Sequence, residues 1–599
     1  MLTRTKIICT IGPAVSDYKM ILKLIDAGMN VARLNFSHGT HATHKASIDK
    51  LKKAREEKGV PLAIMLDTKG PEIRIGAIED GSIQVVKGQR ILLRAGSFLG
   101  NSKELPLHPP SVLGDMELKM KVLIDDGYIL SSVVELTPEG VVIEIKNDGV
   151  IGSHKGVNIP HGNIQLPVLT QQDIDDITFG CKEGVDLIAA SFVRSAEHVL
   201  QIQDLLSQIG HPEVKVIAKI ESAEGVAHFD SILSVSNGIM VARGDLGVEV
   251  PLTQVPKLQK QMIRKSNQSF KPVVTATQML ESMIHAPLPT RAEVSDVANA
   301  IYDSTTSVML SGETAVGKYP LDAVKIMKST VEEAEKDVDY AELFHHSMSR
   351  LSFNNISSSI ALACVKTAYS TKASAIFVFT NSGYTACAIS RFRPEMPIVA
   401  ITANPKVYHQ LAFQWGVIPL LKKVKDAREG FHVASCFAVA HKLVRYGDIV
   451  AVSAGAPFGV SGTTNMIMVD NIGDVLVRGM AHRGEKALCG PVVIVHDSKT
   501  EESLKGKIAV ITRCDLSYEK IFEEASGVIL QNYPEDAHSE RDAKFLGKKY
   551  GKAVLVRADG ASDLLKPLQI VTLDVAKGIV FQGDFSREED FLNTCQNYH

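Results

Sequence analysis

Lys219 and Glu221 stand two residues apart at the end of VKVIAKIE (Val214 to Glu221), and Arg243-Gly244-Asp245 closes the next apolar run, GIMVARGD (Gly238 to Asp245). In an extended strand, residues i and i+2 project to one face, so Lys219 and Glu221 share a side. Glu221 and Asp245, from neighbouring runs, then supply two carboxylates at one rim, a donor set that suits an octahedral Mg2+ or Mn2+ held by few protein oxygens. Arg33 in MNVARLN (Met29 to Asn35), Arg74 beyond LAIMLDT (Leu62 to Thr68) and Lys219 are the fixed cations that a migrating phosphoryl group requires. Gly244 lets backbone approach a ligand closely. Asn35, Ser37 and His38 follow the second run, Asp67 and Thr68 the third, Thr277 ends PVVTAT (Pro272 to Thr277), and Ser311, Gly312 and Glu313 follow Ser307 to Leu310. Taken alone, a Lys-x-Glu pair is usually a structural ion pair and R-G-D-x-G a turn. Three cations and two carboxylates converging on one rim are much harder to explain as packing.

The elements that must position these residues are short and regularly spaced. TKIICTIG (Thr5 to Gly12), MNVARLN, LAIMLDT, DLIAAS (Asp186 to Ser191), VKVIAKIE, GIMVARGD, PVVTAT and SVMLSG (Ser307 to Gly312) are continuous apolar runs, as expected of strands buried on both faces. Amphipathic segments such as DYKMILKLIDAG lie between them. Eight such units predict a closed parallel barrel, whose active site forms where strands end and the following loops begin. Between Thr68 and about Thr170 the pattern changes to period-two strands with Gly-rich turns, which predicts an inserted all-β lid on the catalytic side. After about Val338 a second β/α series begins, with AIFVFT, PIVAIT, DIVAVSAG and MIMVDN as strands, and a third runs to the C-terminus beyond a short polar connector around Met480 to Cys489. The expected architecture is therefore α/β: a (β/α)8 TIM barrel from residues 1–69 and 170–340, an all-β lid over 70–169, an α/β domain over 341–478 and an extra domain over 485–599.

Composition narrows the function class. The chain has 599 residues, 45% hydrophobic and 22% charged, with a formal net charge of -3, which gives no support to a nucleic-acid or membrane-surface partner. No apolar run approaches the roughly 20 residues that span a bilayer, and Gly12-Pro13 breaks the first one at once, so it reads as a strand and not a leader. The eight cysteines are scattered and never fall as C-x-x-C, which suits a reducing cytosol better than a disulfide framework or a zinc site. His38, His41 and His44 make an H-x2-H-x2-H pattern that enters a helix at spacings pointing different ways, and GETAVGK (Gly312 to Lys318) lacks the Ser/Thr of a phosphate-binding G-x4-G-K loop. Neither is read as a site.

Over roughly Thr3 to Ile472 the chain resembles the pyruvate kinase family. MNVARLNFSHG (Met29 to Gly39), LDTKGPEIRIG (Leu66 to Gly76), IAKIESAEGV (Ile217 to Val226), IMVARGDLGVE (Ile239 to Glu249), TATQMLESM (Thr275 to Met283) and VMLSGETAVGKYP (Val308 to Pro320) carry the resemblance, in order. It implies transfer of the phosphoryl group of phosphoenolpyruvate to ADP, giving pyruvate and ATP at the last step of glycolysis, in the cytoplasm, by a homotetramer. It implies Glu221 and Asp245 as Mg2+ (or Mn2+) ligands, Lys219 as the cation facing the phosphoryl group, and Arg33, Ala242, Gly244, Asp245 and Thr277 as substrate contacts, with Thr277 near the proton path to the enolate. Asn35, Ser37, Asp67 and Thr68 match a K+ site, with Glu72 the residue expected of potassium-dependent members. Asn35, Ser37, His38, Arg74 and Lys155 match nucleotide contacts. Thr306 stands where an Asp is common in the family, so local stability or subunit contacts are expected to differ there.

In the second series, Thr380, Asn381, Ser382, Gly383, Tyr384 and Thr385 lie between a strand and a helical segment, where free N–H groups bind anions. Simple N-capping explains them equally well; the resemblance implies an effector-phosphate pocket, with Val460 to Ile467 as its second loop. From about Pro491 to Gly583 the chain resembles the phosphohistidine swivel domain of phosphoenolpyruvate-utilising enzymes. Its phosphorylated His is replaced by Asp542, and His538 sits four residues early, so a structural or oligomer-stabilising role is expected in place of a carrier one. A barrel lyase or aldolase acting on a pyruvate enolate needs the metal carboxylates but not Arg74, Lys155 or the lid. A catalytically dead regulator is at odds with intact Lys219, Glu221, Asp245 and Thr277.

Overall fold

The computed structural model describes residues 3–160, 162, 164–348, 356–455, 464–473, 475–483 and 487–584. Its chain divides into two compact units, the first holding the barrel with its insert and the second most of the chain beyond residue 352. Among the described residues, no helix is long and apolar enough to cross a membrane.

All eight apolar runs form strands: β1 (Lys6–Thr10), β2 (Val31–Asn35), β3 (Ala63–Asp67), β4 (Leu187–Ala190), β5 (Lys215–Ile220), β6 (Gly238–Ala242), β7 (Val273–Ala276) and β8 (Ser307–Leu310). They close into one barrel in chain order, every pairing parallel. Register sets Asn35 beside Asp67, and Asp67 beside Ala189, so the polar ends of β2, β3 and β4 come level. Ile8, Val31, Met65, Ile217, Met240, Val274 and Met309 fill the barrel's interior, making it a packed core and not a pore. Ala412 and Phe413 join that core from outside the expected barrel segments. The stretch Asn404–Pro419, read from sequence as part of the following domain, belongs to the barrel unit. Lys406 donates to the carbonyls of Gly184 and Val185, and Gln410 to those of Asp186 and Glu213, which fixes it there.

Thr306 is buried and self-sufficient: its hydroxyl accepts from the Val273 amide, and its own amide donates to the Val273 carbonyl. Two residues earlier, Ser304 sits at φ +67°, while its carbonyl accepts from Arg393 at 2.7 Å and Asn267 at 2.9 Å. Those bonds hold a backbone state that L side chains resist.

The insert is all-β as expected. One sheet runs Val157–Asn158, Lys121–Ile124, Ile129–Thr137, Gly140–Ile145, Arg90–Arg94, Glu104–His108 and Arg74–Ile75, and Ser82–Val85 pairs with Gly149–Gly152. Alternating Ile, Leu and Val side chains, among them Ile91, Leu93, Val122, Ile124, Val141 and Ile143, form its core. Asp125 and Asp126, at φ +56° and +51°, turn the tip between Ile124 and Ile129.

In the second series the four expected strands form, at Ala375–Phe379, Ile398–Thr402, Ile449–Gly455 and Thr464–Asn471, in a five-stranded sheet. The fifth, Val417–Leu421, escaped the sequence reading because Pro419 interrupts it, and it takes the edge, where a missing N–H is tolerated. The polar connector is a correction. Val475–Arg478 pairs antiparallel with Ile579–Gln582, and Met480–Arg483 pairs antiparallel with Ala553–Val556, at the two ends of a single eight-stranded sheet. Residues 475–483 are thus a strap joining opposite sheet edges through Gly479. Arg478, His482 and Arg483 interrupt its apolar residues, which edge strands tolerate because they need no apolar face on both sides. Ile579 and Phe581, beside the strap, are buried in the core of the preceding α/β domain with Tyr446, Val450 and Ile472.

Two substitutions probe this packing. Ser304→Gly relieves about 1–2 kcal/mol of left-handed strain against the extra freedom glycine gains unfolded, about 0.5–1 kcal/mol, so the barrel's denaturant midpoint rises. Phe581→Ala costs about 3–5 kcal/mol, read as a lowered midpoint of the second unit's transition in calorimetry.

Candidate active site

At the carboxyl ends of the barrel strands the charges interlock. Lys219, the fifth residue of β5, reaches Asp67 Oδ1 at 3.0 Å, Glu221 Oε1 at 2.9 Å and the Ser191 hydroxyl at 2.7 Å. Arg33, on β2, donates from Nε to the other Asp67 oxygen at 2.6 Å and from Nη1 to the Thr10 hydroxyl at 3.0 Å. Asp67 is buried, and one oxygen serves each cation. Burial alone would raise its carboxyl; Arg33 and Lys219 outweigh that and hold it below the usual carboxylate range. For Lys219, burial works against the charged form, but the Asp67 and Glu221 anions prevail and raise its pKa.

Glu221 follows β5 directly, and its second oxygen accepts the Phe192 amide at 2.6 Å. Asp245 stands in the short helix Arg243–Glu249 that opens at the end of β6, with its carboxyl hydrogen-bonded to Glu221. Burial first, then the Glu221 charge, push the Asp245 pKa up to about 7, and Asp126 of the lid adds to the push. Two carboxyls pressed together, Glu221 buried and Asp245 half-buried, with one ammonium beside them fit a divalent cation, which would relieve that repulsion. Among the described residues no group of three or more His, Cys, Asp or Glu is arranged to hold a metal. Glu221 and Asp245 are two carboxylates at one rim, a donor set with which Mg2+ would keep waters as further ligands.

Across the rim, Thr277 follows β7. Its hydroxyl accepts the Gly244 amide at 2.9 Å and donates to the Ala276 carbonyl at 2.7 Å. Ala242 ends β6 and is buried beneath. In the loop after β2, the Asn35 side chain accepts the Ser37 amide, and the Phe36 amide donates to the Asp67 carbonyl. The Thr68 hydroxyl accepts the Ser191 amide, while the Ser191 hydroxyl donates to the Thr68 carbonyl at 2.6 Å. Asn35 and Asp67 are register partners, and Thr68 follows Asp67 directly, so three of the four residues matched to a K+ site lie together.

A cleft of about 890 Å3 separates this rim from the lid, lined by His38 and Asp245 below and by Arg74, Asp125, Asp126 and Lys155 above. Arg74 is held by Glu72 at 2.6 Å and by the His154 carbonyl at 2.7 Å; Lys155 pairs with Asp125 at 2.9 Å. Asn158 of the lid donates to Glu249 of the barrel at 2.9 Å. The three histidines part company: His41 pairs with Asp176, His44 bonds the His38 carbonyl, and His38 faces the cleft. Glu313, in the rejected G-x4-G-K stretch, is fully buried and accepts the amides of Leu280 and Ser311.

In the second unit, the Thr380 hydroxyl accepts the Gly383 amide, Gly383 turns at φ +83°, and the hydroxyls of Thr385 and Thr464 meet at 2.7 Å. Asn381, Ser382 and Tyr384 lie on the same turn, whereas residues 460–463 of the expected second loop lie outside the described residues. Sequence reasoning missed Ser191, which follows β4, and Thr10, which ends β1; the rule that strand ends carry the chemistry points to both. It also missed Asp126, whose effect on Asp245 crosses from another sheet.

Asp67→Asn leaves two buried cations without their shared counter-ion, and should cost about 3–5 kcal/mol of stability. A depressed folded pKa means that this contribution is complete above the unfolded value, near 3.9, and fades as pH falls through the folded one. Urea titrations of both proteins should therefore differ by a constant amount from neutral pH to about pH 5, and converge in stronger acid.

The barrel-domain model of pyruvate kinase matches residues 2–324, and the model of its alpha/beta domain matches residues 358–469. A pyruvate kinase of Sporosarcina psychrophila is 40% identical over 588 residues, 97% of this chain and 99% of that protein. One of Geobacillus stearothermophilus is 40% identical over 591 residues, covering 98% and 100%. One of Chlamydia muridarum is 46% identical over 480 residues, which are 80% of this chain but 99% of that protein. The crystal structure of a pyruvate kinase from Cryptosporidium parvum superposes with a TM-score of 0.75 at 38% identity, covering 79% of this chain and 96% of that one. With two domain models matched in order, and relatives aligned from end to end, the chain belongs to the pyruvate kinase family.

Proposed function

We propose that this chain transfers the phosphoryl group of phosphoenolpyruvate to ADP, releasing pyruvate and ATP, and that the rim of the barrel carries the reaction. The observation that supports this most directly is the convergence of Lys219 on Glu221 at 2.9 Å, with Asp245 bonded to the same Glu221. Phosphoryl transfer needs little covalent help from the protein; it needs fixed positive charge where the three equatorial oxygens spread. Lys219 and Arg33, held rigid by Asp67, meet that need without rearranging during the reaction. Mg2+ or Mn2+ at Glu221 and Asp245 would supply Lewis-acid charge against the phosphoryl and enolate oxygens. K+ is assigned to Asn35, Ser37, Asp67 and Thr68, with Glu72 holding Arg74 nearby. On the nucleotide side, Asn35, Ser37, His38, Arg74 and Lys155 orient ADP, and the lid that carries Arg74 and Lys155 excludes water. Ala242 and Gly244 bring backbone to the substrate, while Thr277 holds its hydroxyl toward the path by which the enolate carbon gains a proton.

The remaining assignments follow the family. The enzyme works in the cytoplasm as a homotetramer, and a phosphorylated metabolite binds at Thr380 to Thr385. Residues 1–69 with 170–340 make the catalytic barrel, 70–169 the lid, 341–478 the regulatory domain and 485–599 the extra domain, whose sheet also takes in 475–478. The C-terminal domain serves structure and not phosphate carriage. Its attaching segment is bonded into its own sheet at both edges, and the position of the carrier histidine is Asp542.

A coupled assay with phosphoenolpyruvate and ADP tests the reading. Turnover should require Mg2+ and K+ and should respond to at least one member of a panel of phosphorylated sugars and nucleotides. Lys219→Met should lower kcat by at least about 10²–10³ with unchanged circular dichroism. Near-normal turnover in Lys219→Met would remove the central assignment.

A further inference from the structure

Arg243 touches none of the reacting groups, yet its guanidinium is bonded wholly inside the protein. Nε donates to the Ala276 carbonyl at 3.2 Å, and Nη2 donates to the Thr277 carbonyl at 2.6 Å, with the Met279 sulfur 2.9 Å away. From behind, Nη1 is held by Asp296, on the helix Arg291–Tyr302, at 2.6 Å and more loosely by Gln259. The neighbouring Gly244 amide holds the Thr277 hydroxyl. Adjacent residues of the β6 rim therefore grip both the backbone and the side chain of Thr277.

That grip acts on an unfavourable backbone. Thr277 and Gln278 follow β7 at φ +63° and +54°, a region that resists β-branched residues most of all. Two successive left-handed residues persist only when surrounding bonds over-determine them. In an ordinary extended exit from β7, the carbonyls of Ala276 and Thr277 would not both meet one planar fork, and the Thr277 hydroxyl would leave the Gly244 amide. Gln278 is exposed, so its conformation is set by the backbone it shares with Thr277.

We propose that Arg243 is a positioning residue for the reaction: by clamping the Ala276 and Thr277 carbonyls it keeps Thr277 left-handed and its hydroxyl aimed at the site. This rests on the role given to Thr277 under the proposed function. An arginine is required because two carbonyls on one side and a carboxylate on the other need a rigid planar fork, which the single ammonium of lysine does not provide.

The test uses the full-length protein. Arg243→Met should lower kcat by about tenfold to a hundredfold, with KM for phosphoenolpyruvate moving less than about threefold. Exchange of the pyruvate methyl protons with solvent deuterium, which reports proton transfer alone, should slow at least as much. Gln278→Gly by itself should stay near wild type, but added to Arg243→Met it should regain about fivefold, because glycine accepts the left-handed state without the clamp. Arg243→Lys should fall between wild type and Arg243→Met and show the same rescue, and it is read in the same way if Arg243→Met does not fold. Thr277→Ala separates the role of the hydroxyl from that of the clamp. Normal proton exchange in Thr277→Ala overturns the role of Thr277 itself. A defective Thr277→Ala beside an unimpaired Arg243→Met, or a defect that Gln278→Gly leaves unchanged, overturns the positioning role alone.

Discussion

The site is organised around one buried carboxylate. Asp67 gives one oxygen to Arg33 and the other to Lys219, and without it both buried cations would lose the counter-charge and the bonds that fix them in place. The balance of charge around it is informative. Asp67, Glu221 and Asp245 stand against Arg33 and Lys219, one anion too many for a buried cluster. Burial first, and then this excess, drive Asp245 toward neutrality, and a divalent cation would reverse the sign of the excess. A pocket that is slightly negative when empty and positive once charged with metal has the polarity that a phosphoryl donor needs. Packing alone gives no reason for such a balance.

Strain gathers at the same rim. Phe192, after β4, has φ +53°, and Thr277 and Gln278, after β7, are also left-handed. In each case a charged side chain from a neighbouring strand end holds the distorted peptide: Glu221 accepts the Phe192 amide, and Arg243 donates to the Thr277 carbonyl. Strand ends in a barrel diverge, and bending them back across the mouth requires departures from extended geometry. Here the departures are tied down by groups that the β5 and β6 ends already carry, so bending the chain and building the site are one operation.

The barrel was legible because both-face burial leaves an unbroken apolar run, and eight of these appear at helix-spaced intervals. The site was legible for a related reason: polar residues at the ends of such runs have little else to do, and Lys219, Glu221, Asp245, Arg33 and Asp67 all converge as the spacing requires. The hidden features depend on contacts between distant segments. Asp126 acts on Asp245 from the tip of the lid, Phe413 completes the barrel core from a stretch that reads as another domain, and Arg243 reads as part of a turn motif. No periodicity marks any of them. The bridging role of Asp67 was hidden differently, since its position matched a monovalent-cation ligand, and only the two distances show it to be the counter-ion of Arg33 and Lys219 as well.

In the C-terminal domain the strand pairing weighs against a swinging carrier. A swivelling carrier needs a free linker and a reactive side chain at the tip of its travel. Here residues 475–478 and 480–483 are bonded to opposite edges of the domain's sheet, so the attaching segment is consumed as structure. The hairpin that ends in Ile579 and Phe581 is buried in the neighbouring core, and a Cβ on Gly447 would stand 2.7 Å from Ile579 and 2.8 Å from Phe581. Swinging the domain away would expose those aromatic and aliphatic surfaces at several kcal/mol, with no phosphate-bearing histidine to justify the excursion. The Chlamydia relative is shorter, 99% of its length matching 80% of this chain. Through Ile579 and Phe581 the domain shares a core with its neighbour, so the apolar surface buried there belongs to both.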